Sequence, residues 1–125
     1  MIRGIGTDIV EVARVAKAIA NPRFCARVYT AAEQQYCESR GAQRAQSYAA
    51  RFAGKEAVLK AFGTGLREGT LQDIEILPDA LGCPQVRLTG HFAGLARERG
   101  IAKVWISLSH TREYATAQCV MEETT

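Results

Sequence analysis

The sequence predicts an α+β fold in which a small antiparallel sheet packs with a long central helix. A nearly continuous helical pattern runs from about residue 42 to residue 62 and ends at Gly63. Near the C-terminus, 103–110 and 114–121 alternate apolar and polar residues, and only three residues separate them. Such a pair indicates a β-hairpin. Helices early in the chain and paired strands late in it are typical of the α+β class.

The N-terminal segment is predicted to form a strand and then a helix. Residues 2–10 combine isoleucine and valine with two glycines, which indicates a strand that another backbone approaches closely. Residues 11–20 place their apolar side chains on one helical face. Asn21-Pro22 interrupts this helix, and we expect a short further turn at 22–29.

A second helix is predicted at about 31–39, ahead of the central one. Thr30 is followed three residues later by Glu33, which is the capping-box pattern, and Gly41 provides a stop. Beyond the central helix, the predicted elements are a strand at 70–77, a turn at 78–84, a returning strand at 85–89 and a short helix at 90–99.

Length and composition indicate one domain spanning residues 1–125, with 47% hydrophobic and 23% charged residues. The sequence has no run of about 20 apolar residues and no pattern of a signal peptide, so we expect a cytoplasmic protein without a membrane span. The four cysteines form no CxxC pair and lie away from both histidines in sequence. We therefore expect reduced, half-buried thiols and neither a zinc site nor a disulfide framework.

The net charge of +3 is unevenly distributed. Residues 1–62 hold 10 Lys and Arg against 5 Asp and Glu, whereas the remainder is slightly acidic. This basic half is either a solvated face or a docking surface for an acidic protein, a phosphate compound or nucleic acid. Nucleic acid is disfavoured because interleaved surface aromatic residues and a recognisable motif are missing and the other half is acidic.

The central helix contains the most informative stretch, RFAGKEAVLKAFGTG at 51–65. Its small residues form a broad arc, and its large apolar residues cover much of the rest, so most of this helix is expected to be buried. Glu56 and Lys60 lie four residues apart at the border of the arc. They either form a helix-surface pair, worth about 0.2–0.5 kcal/mol, or serve a site, because a desolvated carboxylate needs a stronger partner.

Asp8 is unusual because aspartate is depleted in strands. It either caps the helix that begins near Glu11, faces solvent, or supplies a second carboxylate facing Glu56. Two carboxylates, with phosphate oxygens and water, suit Mg²⁺, which prefers hard oxygen ligands. A neighbouring lysine would then neutralise phosphate charge.

Two further segments are candidates for binding an anion. Gly63-Thr64-Gly65 has the backbone freedom to present N–H groups, although it is not a Walker A loop, and a simple helix end is the alternative. Ser109, His110 and Thr111 offer donors at a strand end, although a structural histidine at a hairpin is the alternative. A nucleophilic Ser109–His110 pair is disfavoured because neighbouring strand residues point to opposite faces.

The chain resembles the holo-[acyl-carrier-protein] synthases, the small bacterial type of 4'-phosphopantetheinyl transferase. The resemblance covers nearly the whole chain and rests on four stretches in order: GIGTDIVEVARV, RVYTAAE, RFAGKEAVLKAFGTG and ISLSHTREYATAQCV. Gly54 and Tyr29 depart from the family's usual alanine and phenylalanine, and neither change affects a charged position. The resemblance implies transfer of 4'-phosphopantetheine from coenzyme A to a serine of an acyl carrier protein, with release of adenosine 3',5'-bisphosphate and a requirement for magnesium.

The resemblance also assigns roles to residues. It implies that Asp8 and Glu56 bind the metal, that Lys60 neutralises the coenzyme A diphosphate, and that Glu56 or a metal-bound water is the base. The implied coenzyme A-binding set is Lys55, Lys60, Gly63, Thr64, Gly65, Ser109, His110 and Thr111, with His110 near a phosphate.

Small members of the family are homotrimers with active sites between subunits, and the resemblance implies the same here. It also implies an acidic acyl carrier protein as partner, bound by Arg14, Lys17, Arg23, Arg27, Arg51 and Phe52. Two rival hypotheses remain: a nucleotide-binding regulatory module without turnover, which would bind ligand and form no product, and a basic nucleic-acid module, which a gel-shift assay would reveal.

Overall fold

The structure, a computed structural model, describes residues 1–124 and has the predicted α+β class. Its strands are β1 (Ile2–Glu11), β2 (Ile74–Pro78), β3 (Pro84–Leu88), β4 (Ile101–His110) and β5 (Tyr114–Glu123). Its α-helices are α1 (Val12–Ala18), α2 (Pro22–Val28), α3 (Ala31–Glu38), α4 (Arg44–Phe62) and α5 (Gly90–Glu98). Short 3-10 turns precede α4 and β2, at Gly41–Gln43 and Leu71–Asp73.

The ends of the helices follow local sequence chemistry. The predicted capping box is present, since the Glu33 amide donates to Thr30 Oγ1 at 3.1 Å and the Thr30 amide donates to Glu33 Oε1 at 2.9 Å. Helix α4 ends at Gly63, whose φ of +75° lies in the left-handed region that glycine adopts without strain. The helix ends that carry the candidate residues are therefore fixed by short-range signals.

Three strands form one antiparallel sheet in the order β1-β5-β4, while β2 and β3 pair separately. The predicted hairpin of β4 and β5 is confirmed. Strand β1 lies at the sheet edge next to β5, where Asp8 is opposite Ala117, and Ala117 is in turn opposite Leu108 of β4. The first strand of the chain therefore lies at the edge opposite β4.

Helix α4 lies across one face of this sheet, and two glycines of β1 permit its close approach. A Cβ atom at Gly6 would lie 1.9 Å from the Ala57 carbonyl oxygen, and one at Gly4 would lie 2.2 Å from that of Ala61. The small-residue arc of α4 thus accommodates a strand of the same chain, as the glycines of β1 suggested. This contact fixes the distance between the strand carrying Asp8 and the helix carrying Glu56.

The opposite face of the sheet is uncovered in the single chain. Ile5 and Ile9 of β1 and Trp105 of β4 are 70%, 62% and 52% exposed on it. Contiguous exposed apolar side chains on a sheet face are typical of an interaction surface.

Several local predictions were wrong. Residues 22–28 form a helix and not merely a turn, because Asn21 caps it by accepting from the Arg23 amide and Pro22 occupies a position where its missing N–H costs nothing. Residues 71–73 form a 3-10 turn, so β2 begins only at Ile74. All four cysteines are free, but Cys83 is exposed. Within the described chain, none of the helices has the length and apolarity needed to cross a bilayer.

Candidate active site

Asp8, Glu56 and Lys60 form one cluster where β1 passes α4. The side chain of Asp8 is on the face of β1 that packs on the helix, and its Oδ1 accepts from Lys60 Nζ at 3.0 Å. Lys60 lies one helical turn after Glu56, so the two share a side of α4. Two acids 48 positions apart in the sequence and one lysine therefore meet in space.

The two carboxylates also influence each other electrostatically. The pKa of Glu56 is raised above its ordinary value, first by burial and then by the negative charge of Asp8, while Lys60 opposes the shift. A carboxylate whose ionisation is resisted by a second carboxylate is suited to binding a cation or a proton.

The structure decides between the alternatives left open for Asp8 and Lys60. The N-cap of α1 is Glu11, which makes no side-chain capping bond, so Asp8 does not cap that helix. Lys60 donates to Asp8, so the simple Glu56–Lys60 surface pair does not describe this contact. The cluster joins a strand and a helix, and it is not a local helix-surface feature.

A cavity of about 450 Å³ adjoins the cluster. Glu56, Leu59 and Lys60 of α4 line one side of it, and Gly63, Gly65 and Leu66 line the other. Gly65 also has a positive φ, of +68°, so the chain turns sharply where it borders the cavity. The predicted glycine turn, with Thr64 between its glycines, thus lies beside the predicted acids and lysine.

Lys55 does not belong to this site, and its assignment to coenzyme A binding was wrong. Its side chain is fully buried, and Nζ donates to Glu33 Oε1 at 2.8 Å and to the carbonyls of Leu71 and Ile74 at 2.9 and 2.6 Å. All three ammonium hydrogens have protein acceptors, so none is available for a phosphate. The charge is instead neutralised inside the protein by Glu33.

Ser109, His110 and Thr111 lie at the end of β4, on the other side of α4 from the acid cluster. His110 borders a pocket of about 170 Å³ with Arg51 and Tyr36. Arg51 and Lys60 are nine residues apart, and about 100° per residue places them on opposite sides of the helix. Within one chain, the structure therefore does not bring His110 together with the glycine turn.

The neighbours of His110 in that triplet face elsewhere. Ser109 is exposed and alternates with His110 along β4, so it points to the open face of the sheet. Thr111 Oγ1 accepts from the amides of Glu113 and Tyr114 at 3.3 and 3.1 Å, and it thereby shapes the hairpin. Of the three residues, His110 alone borders the basic pocket.

Arg51 was expected on an exposed docking surface, but it is buried, so that part of the prediction was wrong. Its guanidinium stacks 4.5 Å from the Tyr36 ring centroid and donates weakly to Ser47, while Nε is buried without a partner among the described residues. Arg40 also lies over Tyr36 and lines the same pocket. An unsatisfied buried arginine nitrogen next to a histidine and a second arginine is suited to an anion.

Sequence reasoning missed Arg40 and Tyr36 as members of this pocket. They come from the end of α3 and the connection to α4, and their relation to His110 depends on tertiary packing. The surplus of arginine between residues 12 and 51 was the available signal, but it did not separate a pocket from a surface.

Two of the other predicted partner-binding residues, Arg14 and Phe52, line an apolar groove next to β1. Arg14 and Lys17 of α1 and Arg23 and Arg27 of α2 are exposed. A groove of about 400 Å³ lies between these helices, β1 and α4, and its lining includes Arg14, Val15, Ala18, Phe24 and Phe52. An apolar groove with Arg14 at its edge, on helices that expose further basic side chains, matches an acidic amphipathic partner segment.

No group of three or more His, Cys, Asp or Glu side chains with metal-binding geometry occurs in residues 1–124. A site that uses only Asp8 and Glu56 would leave most of the coordination sphere of a metal to a ligand and water. Magnesium commonly binds proteins in this way, through one or two carboxylates with phosphate oxygens.

Comparison with known proteins places this arrangement in a defined class. The family model of the 4'-phosphopantetheinyl transferase superfamily matches residues 4–119. A holo-[acyl-carrier-protein] synthase of Ruminiclostridium cellulolyticum is 51% identical over 120 residues, covering 94% of this chain and 90% of the relative. The crystal structure of the synthase from Neisseria meningitidis superimposes with a TM-score of 0.90 at 35% identity, covering 98% and 100% of the two chains.

A further solved structure carries ligand information for a relative. The synthase from Bacillus anthracis, described as a complex with CoA (3',5'-ADP), has a TM-score of 0.82 and 35% identity and covers 99% of each chain. The chain belongs to the 4'-phosphopantetheinyl transferase superfamily. Within it, the chain belongs to the holo-[acyl-carrier-protein] synthases and is an enzyme of that family.

Proposed function

We propose that this enzyme transfers the 4'-phosphopantetheine arm of coenzyme A to a serine hydroxyl of an apo acyl carrier protein. The serine oxygen attacks the phosphorus that carries pantetheine, and the bond from this phosphorus to the bridging oxygen breaks. The serine proton passes to a base, and adenosine 3',5'-bisphosphate leaves with the bridging oxygen. The meeting of Asp8, Glu56 and Lys60 beside the glycine turn is the observation that supports this chemistry most directly.

The donor set fits Mg²⁺, with Asp8 and Glu56 as its protein ligands. Both are carboxylates, and burial, followed by the negative charge of Asp8, raises the pKa of Glu56, so a bound cation would relieve this site. When bound, the ion would supply positive charge to the phosphoryl oxygens of the diphosphate. The two acids alone make a weak metal site. We therefore expect the metal to bind the protein more tightly when coenzyme A is bound, and coenzyme A to bind more tightly when the metal is bound.

Lys60 supplies the cation that the protein itself brings to the reaction. Its ammonium makes one ion pair, with Asp8, and is more than half exposed, so it can turn toward a phosphate at little cost. Charge that develops on phosphoryl oxygens is stabilised by positioned cations in a site that excludes water. Glu56 would accept the serine proton, which its raised pKa favours, unless a water next to the ion served as the base instead.

We further propose that each site is shared between two copies within a homotrimer. The basic pocket of Arg51 and His110 and the acid cluster lie on opposite sides of α4, so within one chain they face two different cavities. A second copy could bring its basic pocket next to the acid cluster of the first. The uncovered apolar sheet face of Ile5, Ile9 and Trp105 offers a surface for such an assembly.

The groove beside α1 and α2 is the proposed docking surface for the carrier protein. Its apolar lining includes Phe24 and Phe52, and Arg14 lies at its edge. Val10, two residues after Asp8 on β1, also lines the groove. A partner bound there would therefore present its serine close to the acid cluster, while exposed basic residues attract its acidic surface.

The decisive experiment incubates the purified protein with coenzyme A, Mg²⁺ and an apo acyl carrier protein. Mass spectrometry should detect the carrier protein with a phosphopantetheine arm on one serine, together with adenosine 3',5'-bisphosphate. Asp8→Ala and Glu56→Ala should abolish transfer with unchanged circular dichroism, whereas the exposed Glu98→Ala should retain it. Full activity of Asp8→Ala would refute the metal assignment, and ligand binding without product would favour the regulatory module.

Sharing of the site between copies has a separate test. Glu56→Ala and His110→Ala should each be inactive alone, but mixed assemblies of the two should regain part of the activity, because some sites then contain neither substitution. Light scattering should give the mass of a trimer. If the mixture stays inactive while the trimer forms, each site is made within one chain.

A further inference from the structure

One wall of the acid-cluster cavity is a loop, residues 63–70, that connects α4 to the 3-10 turn before β2. Gly63, Gly65 and Leu66 of this loop line the cavity directly. The loop has few bonds of its own: the Gly69 amide donates to the Leu66 carbonyl at 2.8 Å, Arg67 Nε donates to the Thr64 carbonyl at 2.9 Å, and Thr64 Oγ1 donates to the Gly65 carbonyl at 3.2 Å. Its position must therefore depend on how its ends are held.

The first end of the loop is held by an arginine from another element. Arg99, at the C-terminal end of α5, donates from Nη1 to the Phe62 carbonyl oxygen at 2.6 Å. Its guanidinium also lies 5.9 Å from the centroid of the Phe62 ring. The last carbonyls of a helix lack partners within the helix, and a charged donor is a strong one. Arg99 thus fixes α4 at the residue immediately before the loop.

The second end is held by a local capping box, in which the Thr70 amide donates to Asp73 Oδ2 at 3.2 Å, and by the buried lysine. Lys55 Nζ donates to the Leu71 carbonyl oxygen, one residue after the loop, and is itself paired with Glu33. Between the two ends, Gly69 lies against the Phe92 ring so closely that an added Cβ atom would be 2.3 Å from Cε2. The loop is therefore anchored at its first end by Arg99, which follows α5, and at its second end by Lys55 of α4.

We propose that Arg99 and Lys55 are positioning residues that hold the 63–70 loop in place as a wall of the coenzyme A site. Neither residue lines the cavity. If either anchor is lost, the loop samples more conformations, and coenzyme A must order it on binding. That ordering weakens binding without changing any group that contacts the reacting atoms. This inference rests on the proposed role of the cavity in coenzyme A binding.

The test compares Arg99→Met with Arg97→Met. Methionine keeps an apolar stem next to Phe62 and removes the guanidinium, while Arg97 is an exposed arginine of the same helix and serves as the matched control. We expect Arg99→Met to raise the KM for coenzyme A about tenfold, with the KM for the carrier protein unchanged. Arg97→Met should leave both constants unchanged.

Lys55→Met should shift the KM for coenzyme A in the same direction. Thr30→Ala is its matched control, because it removes the helix cap and the hydroxyl contact to Glu75 without touching the loop. Thr30→Ala should lower stability and keep the KM for coenzyme A. If Lys55→Met fails to fold, Arg99→Met alone decides the question.

Limited trypsin digestion provides a readout that does not depend on activity. Arg67 is exposed within the loop. The rate at which trypsin cuts the native protein after Arg67, detected by mass spectrometry, therefore measures loop mobility. Arg99→Met should be cut there faster than wild type and Arg97→Met. A wild type that transfers no phosphopantetheine would refute the proposed function, whatever the digestion shows. An active Arg99→Met with the wild-type KM for coenzyme A and the wild-type cleavage rate at Arg67 would overturn the anchoring proposal.

Discussion

Two lysines, five residues apart on α4, make ion pairs of nearly the same length and differ in almost everything else. Lys55 lies 2.8 Å from Glu33 with both side chains 0% exposed, whereas Lys60 lies 3.0 Å from Asp8 and is 55% exposed. Burial lowers the pKa of Lys55, and the charge of Glu33 opposes the shift. The length of an ion pair therefore says little about its role. Burial decides whether the cation holds the fold together or remains available to a ligand.

The largest expected effect in this comparison is on stability. Lys55→Met leaves Glu33 buried with no compensating cation, which should lower the free energy of unfolding by about 3–5 kcal/mol. The double variant Lys55→Met/Glu33→Gln removes the stranded charge and should recover part of that loss. Urea denaturation measures both values. A Lys55→Met protein as stable as wild type would remove the distinction between the two lysines.

Lys60→Met should have the reverse profile. An exposed ion pair contributes about 0.2–1 kcal/mol, so the midpoint of urea denaturation should move little. The rate of phosphopantetheine transfer should fall about 100-fold, because one positioned cation facing developing charge is lost. Equal losses of stability in Lys55→Met and Lys60→Met, with no loss of activity in the latter, would contradict the assignment.

The same contrast between buried and exposed cations separates Arg51 from Arg14. Arg14 is exposed at the edge of the groove, so Arg14→Ala should raise the KM for the carrier protein severalfold and weaken its dependence on salt. Arg87→Ala, on the separate β2–β3 pair, is the control and should change neither. If wild-type affinity for the carrier protein is the same at low and high ionic strength, the electrostatic part of the docking proposal fails.

The smallest expected effect is the gain in stability that follows when Glu56 of the acid cluster is replaced by glutamine. Folding raises the pKa of Glu56 above its ordinary value of 4.5, so the folded protein holds this proton more tightly than the unfolded chain. The free energy of unfolding therefore falls as pH rises from about that value through the folded-state pKa. Without metal, Glu56→Gln should melt higher than wild type at pH 7, and the difference should vanish below the ordinary pKa.

This last measurement needs a chelator, because bound metal would stabilise only the wild type. Glu98→Gln, a substitution of an exposed glutamate on α5, is the control and should leave the melting temperature unchanged at both pH values. Equal melting temperatures of Glu56→Gln and wild type at pH 7 would show that burial and Asp8 do not destabilise the ionised form of Glu56.

Short-range chemistry made much of the fold predictable. The Thr30–Glu33 capping box, the glycine stop at Gly63 and the β4–β5 hairpin each depend on residues close together in sequence. The two helix ends and the hairpin were therefore predicted with the correct type and nearly the correct bounds. Asp8, Glu56 and Lys60 were also singled out, because charges in apolar surroundings need an explanation that local structure does not supply.

Packing between distant elements decided the rest. Lys55 and Lys60 look alike in the sequence, and only the position of α3 and the 3-10 turn over one side of α4 buries the first of them. Tyr36, Arg40, Arg51 and His110 belong to different segments, and the packing of these segments brings them to one pocket. Helix α4 separates this pocket from the acid cluster, and no local sequence pattern encodes that relation. The sequence determines which groups carry charge and where helices end. The tertiary structure determines which charges lose their water, because desolvation depends on neighbours far away along the chain.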